Sequence, residues 1–338
     1  LGFRAAAALA PLEKCGLTTH LLLSFSRRAV RRERDGSRMR RGPRNKYFVP
    51  DKLAEIGNMQ LLARTVVEGY ISGLHQSPFK GHSTEFASYR QYMPGDDLKH
   101  FDWKVYARTD KQYVREYEEE TNMTCTLLVD SSASMAYRSE GISKFEYGCY
   151  LAAALTYLMV QQRDQAGLVV FDSDIRERYP ARSTPAHMKY LLDRLEEVEP
   201  SGETGAAGAL HSVATNLSQR GLIVVISDLI DDQDAVMNAI QHFRHDRHEV
   251  IVFNLFDEAE IEFPFTGLTE FRDLETNEKL QMRPEVVREA YQEKFNDFID
   301  RYRRDCRNAG VDYEFVNTSM PFEVMLSHYL TKRQKLKM

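Results

Sequence analysis

Thr126-Leu127-Leu128-Val129-Asp130-Ser131-Ser132-Ala133-Ser134-Met135 decides how the rest of this chain is read. Four residues of strand-forming, mostly apolar character end in Asp-x-Ser-x-Ser, one carboxylate and two hydroxyls on a single tight loop. Oxygen donors so closely spaced suit a small hard dication such as Mg²⁺, which takes near-octahedral oxygen ligands at about 2.0–2.1 Å; Mn²⁺ and Ca²⁺ are compatible as well. The loop itself holds no histidine or cysteine, so zinc and copper chemistry fits poorly. The expectation is metal-assisted binding, not catalysis.

Outward from that loop the pattern becomes strand and helix in alternation. Apolar runs at Cys125–Val129, Gly167–Phe171, Leu222–Ser227 and Val250–Phe256 predict buried strands, with a short strand near Ile175–Tyr179 and another at Tyr313–Val316. Helices are expected at Lys144–Gln162, Ala186–Glu197, Ala206–Leu217, Asp234–His245 and Pro284–Ala309, with one from Pro321 to the end. A hairpin-like stretch at 270–282 turns at Thr276-Asn277. Continuous apolar strands between helices imply an α/β fold, a mainly parallel Rossmann-like sheet covered on both faces. Ligands of such sheets gather beyond the carboxyl ends of the strands. Asp130 stands at one such end and Asp228 at another, after Ile223-Val224-Val225-Ile226-Ser227. Thr204, in Ser201-Gly202-Glu203-Thr204-Gly205 before a helix, is the third contributor, because flanking glycines permit a tight turn.

This order of parts resembles the von Willebrand factor A fold with its metal-ion-dependent adhesion site. The resemblance implies a ligand set of Asp130, Ser132, Ser134, Thr204 and Asp228, the aspartates often acting through water, with an open position for a partner's carboxylate. Adhesive members often carry Asp-Gly after the late strand, whereas Leu229 follows Asp228 here. A narrower likeness rests on Ser77-Pro78-Phe79-Lys80-Gly81, Tyr92-Met93-Pro94-Gly95-Asp96-Asp97, Phe101-Asp102-Trp103, Ala107-Arg108-Thr109-Asp110 and Phe271-Arg272-Asp273-Leu274-Glu275-Thr276, together with Pro321-Phe322. Over roughly residues 50–335 the chain resembles the bacterial domain-of-unknown-function-58 (DUF58) family. That likeness implies a von Willebrand A-like domain with a family-specific N-terminal flank, and a MoxR-type AAA ATPase as partner in assembling or activating other proteins.

Bulk properties bound these readings. The chain has 338 residues, 43% hydrophobic and 28% charged, within the ordinary range for globular proteins. Residues 1–46 hold twelve Lys and Arg against three Asp and Glu, so the net charge of −5 conceals a basic tail on an acidic body. An acidic body argues against nucleic acid as principal partner. The tail is read as a disordered anionic-surface binder, a targeting peptide or translated upstream sequence, with Met39 as candidate start. Residues 47–120 are expected to form the flank, with a helix over Asp51–Leu74 and short antiparallel strands at Glu85–Tyr92 and Gln112–Tyr117, and residues 121–338 the main domain. Cys15, Cys125, Cys149 and Cys306 form no Cys-x-x-Cys pair, which suggests a reducing, cytoplasmic setting. No apolar run reaches the roughly 18–20 residues of a membrane-spanning helix.

Other clusters have plainer readings. Asp96 and Asp97 after Pro94-Gly95 fix a turn, with Arg90 and Arg108 as pairing residues, and Trp103 anchors flank to body. Asp231, Asp232 and Asp234 initiate a helix, where carboxylates favour the positive end. His242, His245 and His248 read as a solvated helix end and not a zinc site. Enzyme classes lack parts: Ser132 stands where a haloacid-dehalogenase-like phosphatase places its second aspartate, and there is no Gly-x-Ser-x-Gly around residues 130–135 and no Walker A loop. The expected function is a non-enzymatic module; the alternatives are a scaffold with an empty metal site and a metal-dependent phosphatase-like hydrolase.

Overall fold

The four apolar runs become the middle of one sheet. The structure is a computed structural model that describes residues 25–26, 58–74, 88–93, 103–110, 112–116, 123–202, 205–217, 219–274 and 279–337. In chain order the elements begin with β1 (Phe25–Ser26), α1 (Met59–Leu74), β2 (Ser88–Gln91), α2 (Trp103–Thr109) and β3 (Tyr113–Glu116). Next come β4 (Thr124–Asp130), α3 (Lys144–Gln161), β5 (Gln165–Phe171), β6 (Ile175–Arg182), α4 (Pro185–Glu197) and α5 (Ala206–Asn216). The chain continues through β7 (Leu222–Ser227), α6 (Gln233–His245), β8 (Glu249–Phe256), α7 (Glu258–Glu262), β9 (Thr269–Asp273) and β10 (Lys279–Met282). It ends with α8 (Pro284–Asn308), β11 (Asp312–Asn317) and α9 (Phe322–Lys337).

The main sheet has the order β11-β8-β7-β4-β5-β6. All its pairings are parallel except β5 with β6. β6 alternates between partly buried and exposed residues along its length, as an antiparallel edge strand with one wet face must. The central strands are buried on both faces. Along β4, Leu127 and Val129 enter one core while Leu128 enters the other, the period of two that a pleated strand imposes.

On the first face lie α1, α3, α4 and α9; on the second lie α5, α6 and α8. The α3 helix is apolar nearly all round and buried along almost its entire length, because the sheet covers one side and α1 and α9 cover others. Ser143 caps it through a capping box with Glu146. The flank helix α1 contributes Met59, Leu62, Ala63, Val66 and Val67 to the same core, at the helical spacing of one buried stripe.

Sequence expectations for the elements are met within a few residues at most boundaries. Strands β2 and β3 pair antiparallel as expected, Ser88 opposite Glu116 and Gln91 opposite Tyr113. Trp103, expected to anchor flank to body, is 62% exposed. Asp96, Asp97 and the turn at Thr276-Asn277 lie outside the described residues. Cys125, Cys149 and Cys306 are free thiols, all buried. Of the expected tail, only Phe25 and Ser26 are described; they pair antiparallel with Asp273 and Arg272 of β9.

Candidate functional site

The strand order sets the site. From β4 the chain moves to β5 and β6 on one side, then crosses back to β7 on the other side of β4. The carboxyl ends of β4 and β7 therefore flank the point where winding reverses, which is where parallel α/β sheets open a crevice. Asp130 is the last residue of β4, and Asp228 follows the last residue of β7. These strands are direct neighbours, with Val129 opposite Ile226. Two aspartates 98 positions apart thus meet at one edge.

Both are almost completely inaccessible to solvent. One Asp130 oxygen accepts the Ser132 backbone N–H at 2.8 Å, and the other accepts the hydroxyl of Ser227. Burial first, and then the charge of Asp228, pushes the Asp130 carboxyl up to about 7, although hydrogen bonds from Ser227 and Ser132 favour its ionised form. The hydroxyls of Ser132 and Ser134 lie 3.1 Å apart on the same loop. A short 3₁₀ turn over Ala133–Ala136 brings Ser134 back beside Ser132, so both hydroxyls share one side of the loop.

Thr204 lies outside the described residues, but the residues before it are fixed. Ser201 donates its N–H to the Ser131 carbonyl at 2.8 Å, and the Gly202 carbonyl accepts from Ala133 N–H at 3.2 Å. Gly202 has φ +92°, the left-handed region that favours glycine, and that conformation turns the chain back against the Asp130 loop. Ser201 and Gly202 are therefore tied to the first loop by backbone hydrogen bonds.

Three residues that the sequence reading did not assign to the site complete its surroundings. Ser227 supports Asp130. Lys144, the first residue of α3, has a fully buried side chain, with Nζ 2.8 Å from an Asp228 oxygen and 2.9 Å from a Glu260 oxygen. Burial works against the charge of this ammonium, but the Asp228 and Glu260 carboxylates outweigh it and hold Lys144 above the ordinary lysine value. Glu260 is pushed up to about 7 by burial, with Lys144 pulling the other way. The second Asp228 oxygen faces the Ile230 N–H at 3.3 Å. Leu229 takes φ +50°, the left-handed backbone that glycine would adopt, and its side chain is buried in the second core.

The donor chemistry fits a small hard dication. Burial and the charge of Asp228 raise the proton affinity of Asp130, the hydroxyls of Ser132 and Ser134 stand on the same loop, and among the described residues no histidine or cysteine joins these donors. Among the described residues no group of three or more His, Cys, Asp or Glu is arranged to hold a metal. The donor set here has two carboxylates and relies on hydroxyls for the rest. The other acidic and histidine clusters are structural. Asp232 caps α6 by accepting the Ala235 N–H at 2.8 Å, and Asp231 reaches across to the Ala207 N–H at 3.0 Å. His242 and His245 sit beside Asp246 at the end of α6, while His248 lies buried before β8.

Residues 88–298 match the family described as Protein of unknown function DUF58. The chain belongs to the DUF58 family. An uncharacterized protein of Mycobacterium tuberculosis is 28% identical over 232 residues, which are 67% of this DUF58 chain and 72% of that protein. Among solved structures, the conserved hypothetical protein BatB from Bacteroides thetaiotaomicron matches with a TM-score of 0.45 at 19% identity, covering 63% of this chain and 99% of that one. An aerotolerance-related membrane protein from Bacteroides fragilis matches with a TM-score of 0.44 at 19% identity, covering 62% and 99%.

These findings correct one expectation. The cytoplasmic location expected for this DUF58 chain does not stand, since the Bacteroides fragilis structure is described as that of a membrane protein. Among the described residues no helix is long and apolar enough to cross a membrane.

Proposed function

We propose that this chain is a non-enzymatic, metal-dependent protein-binding module of the von Willebrand factor A type. Asp130, Ser132, Ser134, Thr204 and Asp228 would hold Mg²⁺, or Mn²⁺ or Ca²⁺ in its place. The carrying observation is the meeting of Asp130 and Asp228 at the ends of adjacent strands, with Ser132 and Ser134 on the first loop and Ser201 and Gly202 hydrogen-bonded to that loop. When bound, the dication supplies a Lewis-acidic position that favours an anionic oxygen, here an Asp or Glu of a partner protein. The chain's own residues orient that position. Ser227 and the Ser132 N–H fix Asp130, the 3₁₀ turn aligns the two hydroxyls, and Gly202 holds the middle loop against them. A MoxR-type AAA ATPase is the proposed partner in assembly or activation of other proteins.

Calorimetric titration of Mg²⁺ into the full chain tests the reading. Saturable binding that Asp130→Ala abolishes supports it, and the absence of binding overturns it. One observation favours a second reading, an interaction scaffold that needs no metal. Asp228 already has a cation in Lys144, at 2.8 Å. On that reading chelator leaves partner capture unchanged.

A further inference from the structure

Lys144 is the buried charge that the metal reading does not use. Its ammonium is enclosed by the carboxylates of Asp228 and Glu260 and by the rings of Tyr137 and Phe256, whose centroids lie 6.0 and 5.7 Å away. A lysine is almost never fully buried without such pairing. Its position follows from the chain: the segment after the Asp-x-Ser-x-Ser loop leads directly into α3, and a helix buried all round takes its first residue inside with it.

Glu260 is not a loose partner. Its second oxygen accepts the Asp257 N–H at 2.8 Å in a capping box, and Asp257 in turn accepts the Ser139 N–H at 3.0 Å. Both carboxylates that grip Lys144 are thus anchored, one beside Asp130 and one on α7. Asp130, Asp228 and Glu260 bring three potential negative charges into one buried space, and Lys144 brings one positive charge. An ion that draws on Asp228 competes with Lys144 for that carboxylate. Glu260 keeps the ammonium paired while this happens.

We propose that Lys144 is a resident counter-cation shared between Asp228 and Glu260 that sets the site's affinity for divalent ions, with Glu260 as the positioning residue that makes Asp228 available. This rests on the metal-binding reading above and assigns the regulation of that same site. Neutralising Glu260 leaves Asp228 as the only carboxylate on Lys144, so the ammonium holds it harder and the dication binds more weakly. Removing the ammonium has the opposite effect, because the competitor is gone and an extra negative charge stays behind.

The test is calorimetric titration of Mn²⁺ and Mg²⁺ into the wild-type full chain and the Glu260→Gln, Lys144→Met and Asp130→Asn variants, each checked for folding by thermal melting. Glu260→Gln is expected to weaken binding at least about fivefold, the low end of coupling between linked sites. Lys144→Met is expected to tighten it by a similar factor. Should Lys144→Met not fold, Glu260→Gln, close to isosteric, decides alone. Wild-type binding that Glu260→Gln leaves unchanged overturns this proposal while the metal reading stands. Wild-type titrations indistinguishable from Asp130→Asn, with no heat of binding in either, overturn the metal reading and this inference with it.

Discussion

Replacing Lys144 by methionine removes a buried ammonium while nearly preserving volume, so its cost is electrostatic and not a matter of packing. Lys144 and Asp228 have fully buried side chains, and that of Glu260 is 10% exposed, so water does little to relieve the two carboxylates left behind. Breaking a buried pair by deleting one partner costs about 3–5 kcal/mol. Here the same deletion orphans two acids whose positions are fixed by backbone hydrogen bonds from Ile230 and Asp257. The expected loss is about 3–5 kcal/mol at pH 7, read from urea unfolding of the full chain in chelator. Adding Glu260→Gln to Lys144→Met removes one orphaned charge, so the double variant is expected to recover about 0.5–3 kcal/mol. Saturating Mg²⁺ is expected to return more stability to Lys144→Met than to wild type, since it supplies the missing positive charge. A loss below about 1 kcal/mol for Lys144→Met, the range of an exposed pair, would refute the reasoning.

Three further outcomes are expected from local geometry. A Cβ at Gly221 would lie 2.3 Å from the Thr124 carbonyl oxygen, so Gly221→Ala must shift backbone at the start of β7 and should cost at least about 2 kcal/mol in urea unfolding; a neutral result contradicts the packing described. Leu229→Gly relieves about 1–2 kcal/mol of left-handed backbone strain but removes a buried side chain worth about 2–5 kcal/mol, so the net change should be destabilising, and a raised urea midpoint would contradict it. Burial lowers His248 below its ordinary value of 6.5, so in that window the unfolded chain binds more protons and stability should rise with pH. His248→Leu should flatten that dependence below pH 6.5, as measured by urea unfolding at several pH values.

The strands that build the site were legible because each is a continuous apolar run ending in a polar residue. Thr126–Val129 before Asp130 and Ile223–Ser227 before Asp228 could be placed on one sheet edge from their pattern alone. That the two strands are direct neighbours came from the strand order, which alternation of elements does not specify. Lys144 and Glu260 escaped the reading because charged residues at helix starts ordinarily face water. A signal was nevertheless present: Ser143 and Glu146 form a capping box ahead of a helix apolar on every side, and Lys144 lies inside that box. Glu260 sits in Glu258-Ala259-Glu260-Ile261-Glu262, an acidic run whose middle carboxylate turns inward only because the helix is short and capped by Asp257. Leu229 in place of glycine looked like a departure from the adhesive pattern, yet its backbone keeps the left-handed conformation and its side chain fills the core.

The central claim is that a dication binds where β4 and β7 end. Electron paramagnetic resonance of Mn²⁺ titrated into the full chain addresses it most directly, because the free-ion signal disappears as the metal is taken up. The account predicts one ion per chain in the wild type and loss of that uptake in both Asp130→Asn and Asp228→Asn. Undiminished free-ion signal in the wild type, or uptake that survives both substitutions, would contradict it.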